Sequence, residues 1–161
     1  MEYTLGMENF AQHIALSYQK ATHSPDASTQ NGAVIVDGER FIAWGENHVP
    51  DGILANVENK YDYWEHAERA AIYQAAWLGE RVKGCTMFCP WAACPNCARG
   101  IILSGISRLV VHKERMVLTP DRWKEPVAVG LKMLREAGVE VVEWSGKIGK
   151  TIQVDGKEVE L

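Results

Sequence analysis

Apolar residues recur at helical spacing from Glu8 to Lys20, where Phe10, Ile14, Ala15 and Tyr18 share one side and Ala11 lies beside them. The stretch His23 to Asn31 breaks this periodicity and reads as a loop. Gly32 to Val36 is a short apolar run, Asp37-Gly38 a hairpin-turn signal and Arg40 to Gly45 the return, which predicts two antiparallel neighbouring strands. From Ala67 to Leu78 the chain is rich in helix formers, with Ala71, Ala75 and Leu78 as buried candidates and Gly79 at the end. Cys85 to Cys89 reads as a central strand that Pro90 ends, so Trp91-Ala92-Ala93 should bend toward Cys94.

A helix is predicted from Pro95 to Leu103, stopped at Ser104-Gly105, then a strand from Arg108 to His112. Arg115 to Pro120 shows no clear pattern. Trp123 to Ala137 resumes helical spacing through Val127, Leu131 and Leu134, and Pro126 leaves open where the regular helix begins. Val139 to Glu143 is the fifth strand. Strands separated by helices predict an α/β sheet between helices, its crossovers parallel and right-handed beside the opening hairpin. After Trp144 the pattern changes: Lys147 to Glu160 reads as a β-hairpin turning at Asp155-Gly156. Its Ile148, Ile152, Val154 and Val159 are too few for an independent core. The expected division is a main domain over residues 1–146 and an extension, 147–161, packed on that domain or on a neighbouring subunit.

A length of 161 residues suits one domain with a modest core, and 47% hydrophobic against 24% charged residues excludes wholesale disorder. The net charge of −4 argues against a broad, nonspecific grip on nucleic acid, though not against a local basic pocket. Of the four cysteines, Cys85 and Cys89 fall in an apolar run and read as core, while the other two have metal-ligand spacing. Reducing, cytoplasmic conditions fit that usage. No stretch reads as a signal peptide or a membrane span.

The chemistry concentrates between Trp64 and Gly100, in W-E-H66-A-E68 and P90-W-A-A-C94-P-N-C97, each before a helical pattern. One imidazole and two thiolates suit zinc, and a catalytic zinc keeps a fourth position for water. His66, Cys94 and Cys97 are the expected ligands. Glu68 is the expected proton carrier, taking a proton from water and returning it to the substrate's ring nitrogen and leaving amine. His66 and Glu68 are two apart, so they can cooperate only where a helix begins. Pro95 suits a first helical turn, whose free N–H groups favour thiolates. Alone, C-x-x-C also serves redox chemistry and structural zinc, and H-A-E is weaker still. The bland alternative is a buried His66, a surface Glu68 and an inert cysteine pair. Elsewhere the residues leave choices open. Asn47, in the polar loop Glu46 to Gly52, either binds a sugar hydroxyl or begins a turn. Tyr61, Tyr63 and Trp64 either sandwich a planar base or anchor a lid. Lys147 and Lys150 either approach a phosphate or are solvated tail charges.

Together the two motifs resemble the H-x-E…P-C-x-x-C signature of zinc nucleobase deaminases. From about Asn9 through Val142 the chain resembles the cytidine/deoxycytidylate deaminase superfamily, especially its deoxycytidylate branch. S-P-D-A-S-T-Q-N-G-A-V-I-V over 24–36, G-E-N-H-V-P-D-G over 45–52 and K-Y-D-Y-W-E-H-A-E over 60–68 carry the likeness beside the zinc motifs. The resemblance implies a three-layer α/β/α sandwich with a mixed five-stranded sheet, a Zn2+ cofactor and hydrolysis of dCMP to dUMP with release of ammonia. It assigns catalysis to Glu68, the deoxyribose hydroxyl to Asn47, and the nucleotide or phosphate to the region of Ser24, Asp26 and Asn31. Tyr61, Tyr63 and Trp91 join the substrate-facing set, and backbone donors near Ala67 and Cys94 would hold the cytosine carbonyl. It also implies a homo-oligomer, in some members a hexamer controlled by dCTP and dTTP. The chain departs from the family where Ala93 replaces a proline before the first cysteine and Ala70 an asparagine. Alternatives are deamination of dCTP, cytidine, guanine or tRNA adenosine, or a noncatalytic zinc-stabilised binding module.

Overall fold

A computed structural model describes residues 7–54 and 60–161, so residues 55–59 of the aperiodic stretch before Trp64 lie outside it. Helix α1 (Met7–Ala21) leads into the hairpin β1 (Gly32–Asp37) and β2 (Arg40–Glu46). A single turn, α2 (Lys60–Tyr63), precedes α3 (Ala67–Trp77), β3 (Thr86–Phe88), α4 (Pro95–Ser104) and β4 (Arg108–His112). Then come α5 (Lys113–Val117), α6 (Asp121–Glu136), β5 (Glu140–Trp144) and a second hairpin, β6 (Thr151–Val154) with β7 (Lys157–Glu160).

The five-stranded sheet has the order β2-β1-β3-β4-β5. β1 pairs antiparallel with β2 and with β3, whereas β3, β4 and β5 run parallel, which their helical crossovers make possible. Alternation along the strands divides the interior in two. Ala33, Ile35, Met87, Leu109 and Val111 face α3, α4 and α6, burying Ala71, Ala75, Ile101, Leu131 and Leu134. Val34, Val36, Phe88 and Val110 face the other way, onto Phe10, Ile14 and Tyr18 of α1. The result is the expected mixed sheet between helical layers, with a separate C-terminal hairpin.

That hairpin joins the α1 side: Ile152 and Val154 are buried in the second core. Its backbone is tied to the loop after α1, with Gln30 N–H donating to the Gln153 carbonyl (2.9 Å) and Gly156 N–H to that of Ser28 (2.8 Å). Behind the sheet's parallel half, the buried His112 is bonded through Nδ1 to the Tyr18 hydroxyl (2.7 Å) and through Nε2 to the Gly146 carbonyl (2.8 Å), joining α1, β4 and the chain leaving β5.

Two elements differ from the sequence reading. The patternless stretch from Arg115 to Pro120 overlaps α5, whose Arg115 is fully buried beneath the Trp91 ring, 4.5 Å from its centroid. Helix α6 begins at Asp121, two residues before the expected Trp123, with Pro120 at its N-cap and Pro126 inside it. Proline there forfeits one backbone bond. The buried stripe of Val127, Leu131 and Leu134 outweighs that loss by continuing the helix over the core.

Candidate metal centre and substrate cavity

The two motifs meet because two helix starts meet. His66 is the N-cap of α3, in extended conformation with φ −90° and ψ 151°. The backbone around it is fixed from both sides. Glu65 Oε1 accepts the His66 N–H (2.8 Å) and Arg69 Nε–H (2.6 Å), and Glu65 exchanges backbone bonds with His48 of the loop after β2 (2.7 and 3.2 Å). Cys94 caps α4 in the same way, also extended, with Pro95 in the first turn. Close approach of neighbouring elements holds both helix starts in place. A side chain on Gly45 of β2 would run into the α3 backbone between Ala67 and Ala71, and one on Gly130 of α6 into the Ala93 carbonyl.

The three donor atoms of His66, Cys94 and Cys97 all lie within 4.8 Å of one another. His66 Nδ1 is 3.5 Å from Cys94 Sγ and 3.4 Å from Cys97 Sγ. Hydrogen bonding with Cys97 holds the Cys94 thiol down to about 3, and Cys97 is pushed up by the same bond and by burial. For His66, burial acts against the charged imidazole, but the bond with Cys94 and the charge of Glu68 raise it overall. Glu68 sits in the first turn of α3, 3% exposed, on the wall of the adjoining cavity. Burial pushes its carboxyl above the usual range, partly offset by His66.

Residues 7–113 match the family described as the cytidine and deoxycytidylate deaminase zinc-binding region. The chain belongs to this family. It is 36% identical to an uncharacterized deaminase in the luxG 3′ region of Aliivibrio fischeri, over 73% of this chain and 81% of that one. It is 31% identical to the deoxycytidylate deaminase of Homo sapiens, spanning 63% of each chain. Among solved structures, the dCMP deaminase from the cyanophage S-TIM5 in apo form superposes with a TM-score of 0.69, over 85% of this chain and 98% of that chain, at 23% identity. That likeness establishes the deaminase fold.

The donors fit the family's cofactor, Zn2+: one imidazole and two thiols converge, a mixed nitrogen–sulfur set characteristic of zinc. Among the described residues this cluster contains three donors, not the four of a closed structural site. Family membership and this geometry support a zinc-dependent deaminase activity.

Of the substrate-facing residues expected from sequence, Asp26, Asn31, Asn47, Tyr61, Ala67 and Trp91 line the cavity beside Glu68, His66 and Cys94. Ser24 and Tyr63 do not. Ser24 is buried, and its hydroxyl donates to the Asn47 carbonyl (2.6 Å) and accepts the Asp26 N–H (3.2 Å). The Asn47 amide is engaged in the wall itself: Oδ1 accepts the Asn31 N–H (2.8 Å), while Nδ2 donates to the Thr29 carbonyl (2.7 Å) and Asp26 Oδ2 (3.3 Å). Asn31 Nδ2 continues the chain to the Trp91 carbonyl (2.7 Å).

Sequence reasoning missed Trp123 and Arg122, both on the cavity wall. The Trp123 ring meets His66, Tyr61 and Trp91 edge-on, at centroid distances of 6.1, 5.9 and 6.1 Å. Arg122 pairs with Asp155 of the C-terminal hairpin at 2.5 Å. Nothing in the local pattern marked either, because both reach the site from a helix far along the chain.

Proposed function

We propose that this deaminase hydrolyses dCMP to dUMP and ammonia. His66, Cys94 and Cys97 would hold zinc, which when bound supplies a Lewis acid that makes a water molecule nucleophilic. The observation that carries the reading is Glu68, a buried carboxyl with a raised proton affinity, on the cavity wall beside the three donors. A carboxyl of raised proton affinity is suited to act in turn as base and acid. Glu68 removes one proton from the attacking water and delivers it to the ring nitrogen next to carbon 4 of cytosine. It then passes the water's second proton to the departing amine, so the C–N bond breaks as the C=O bond forms and ammonia leaves.

The wall residues orient the base. The start of α3 at Ala67 offers backbone N–H groups for the pyrimidine carbonyl, since the first N–H groups of a helix have no partner within it. Tyr61, Trp91 and Trp123 form an aromatic wall suited to a planar ring. The loop network of Asp26, Asn31 and Asn47 supplies the polar part of the lining, where the sugar belongs. Ser24 stabilises that loop through its bonds to Asn47 and Asp26, and Tyr63 ends α2 outside the cavity lining. The deoxycytidylate deaminases among the relatives support cytosine nucleotide as the substrate class.

The same reading extends to a cytoplasmic homo-oligomer, up to a hexamer, responsive to dCTP or dTTP. Exposed Tyr73, Trp77 and Leu78 at the end of α3 suit subunit contact, and light scattering with and without each nucleotide checks it.

Ammonia release from metal-quantified protein tests the substrate assignment across dCMP, dCTP, deoxycytidine, cytidine, guanine and adenosine-containing tRNA. A dominant rate on dCMP with one zinc per chain is expected. A dominant rate on another substrate would keep the zinc chemistry and reject dCMP.

A further inference from the structure

The cavity has an electrostatic asymmetry that zinc hydrolysis does not use. Its described lining carries three carboxylates, Asp26, Glu65 and Glu68, and a single Lys or Arg, Arg122. A dianion entering this cavity has one cation there to meet. Arg122 lies in the first turn of α6 and is held by Asp155 Oδ1 at 2.5 Å, with the side chains 53% and 46% exposed. Asp155 is not a loose tail residue. It occupies the turn between β6 and β7 with φ 50°, its N–H donates to Thr29 Oγ1 (3.1 Å), and the next N–H, of Gly156, donates to the Ser28 carbonyl. Ser28 and Thr29 are themselves cavity-wall residues, so the hairpin turn presents its carboxylate at the cavity rim.

A second guanidinium stands behind. Arg115 is fully buried, and among the described residues its Nε, Nη1 and Nη2 find no hydrogen-bond partner. It lies 4.5 Å from the centroid of Trp91, a cavity-wall residue, and its charge and that of Asp155 act on each other. Both described guanidiniums near this wall thus stand at the hairpin end, with Asp155 and Asp26 as the carboxylates there, while Glu65 and Glu68 line the end at the metal donors.

We infer that this end is an anion subsite for the substrate's phosphate, recognised by Arg122, with Asp155 as the resting counter-ion that the phosphate displaces. The inference rests on the nucleotide reading given above. An ion pair between half-exposed groups is screened by water and gives way to a better partner. A phosphate offers the planar guanidinium fork two oxygens and a larger charge. A nucleoside without phosphate has nothing to exchange for Asp155. The hairpin therefore sets preference between nucleotide and nucleoside without touching the base.

Binding of the products dUMP and deoxyuridine to zinc-loaded protein separates phosphate recognition from catalysis. Arg122→Gln should weaken dUMP by about tenfold or more and leave deoxyuridine unchanged, and Arg122→Lys should recover part of the loss. Asp155→Asn should tighten dUMP about threefold or more, again without effect on deoxyuridine. Equal weakening of both ligands by Arg122→Gln overturns the subsite, because Arg122 would then only shape the wall. Unchanged or weakened dUMP binding in Asp155→Asn overturns the competition. Either result, with wild-type protein releasing ammonia from dCMP, leaves the nucleotide deaminase reading standing. Failure of wild-type protein to release ammonia from dCMP removes that reading itself.

Discussion

At the residue scale, the cavity places a buried carboxyl, the proposed proton carrier, beside groups that build the wall. Glu68 is buried beside His66 and the thiols, and glutamine keeps its shape and one acceptor oxygen. Glu68→Gln should therefore keep fold and zinc content while turnover falls by about a hundredfold to ten-thousandfold, the usual contribution of general acid–base catalysis. Near-wild-type turnover in a protein with full zinc would remove Glu68 from the mechanism. Asn47 is the contrasting case. Its amide makes three bonds to the loop backbone and Asp26, so Asn47→Ala should lower thermal stability as well as substrate affinity. Each lost bond to a part-buried partner costs about 1 kcal/mol. A rise in KM with an unchanged unfolding midpoint would show that the amide serves the substrate alone. The sequence left Asn47 open between sugar contact and turn. The structure shows why: a side chain on a cavity wall can be part of the scaffold and part of the surface at once.

At the element scale, the metal site depends on helix packing that leaves no room for a Cβ. Gly130 of α6 lies directly against the Ala93 carbonyl, which precedes the capping Cys94. Backbone cannot yield as a flexible side chain can. Gly130→Ala should therefore displace the cysteine loop, costing about 1–3 kcal/mol as overpacking does, and lower zinc affinity together with stability. Zinc titration and thermal unfolding of the same variant check both. Unaltered zinc affinity would mean that the loop is held by its own contacts. The zinc residues were legible in the sequence because each lies at a helix start marked by its neighbours, Pro95 in one case and the H-A-E spacing in the other. Helix α5 was not, since five residues give no period to read and Arg115 is a charged residue in a fully buried position. The start of α6 was obscured by Pro126, a breaker by propensity that tertiary packing overrides.

At the scale of the whole molecule, one sheet serves two cores, and the C-terminal hairpin completes the second. Ile152 is 3% exposed within the α1-side cluster. Ile152→Ala should destabilise the protein by about 2–5 kcal/mol, measured by denaturant unfolding, if the hairpin folds as part of the domain. A change close to zero would mean that the hairpin is held only by its bonds to the loop after α1. The zinc site belongs to the other core. Chelation should lower the unfolding midpoint of the whole domain, because an ion that binds only the folded chain stabilises it by about 2.7 kcal/mol at a free concentration one hundred times its dissociation constant.

The sequence by itself determined the four longer helices, the strands, both hairpins and the three metal donors, because these rest on short-range spacing: alternation in strands, helical recurrence, turn pairs such as Asp37-Gly38 and Asp155-Gly156, and ligands at helix starts. What only the tertiary structure decided is everything that depends on distant segments meeting. Trp123 reaches His66, Arg122 meets Asp155 at the cavity rim, and Arg115 comes to lie beneath Trp91 because the parallel crossovers carry α5 and α6 back over the sheet beside the metal centre. Local pattern cannot specify such contacts, since they are fixed by the order of strands and the packing of two helical layers, not by any neighbour in the chain.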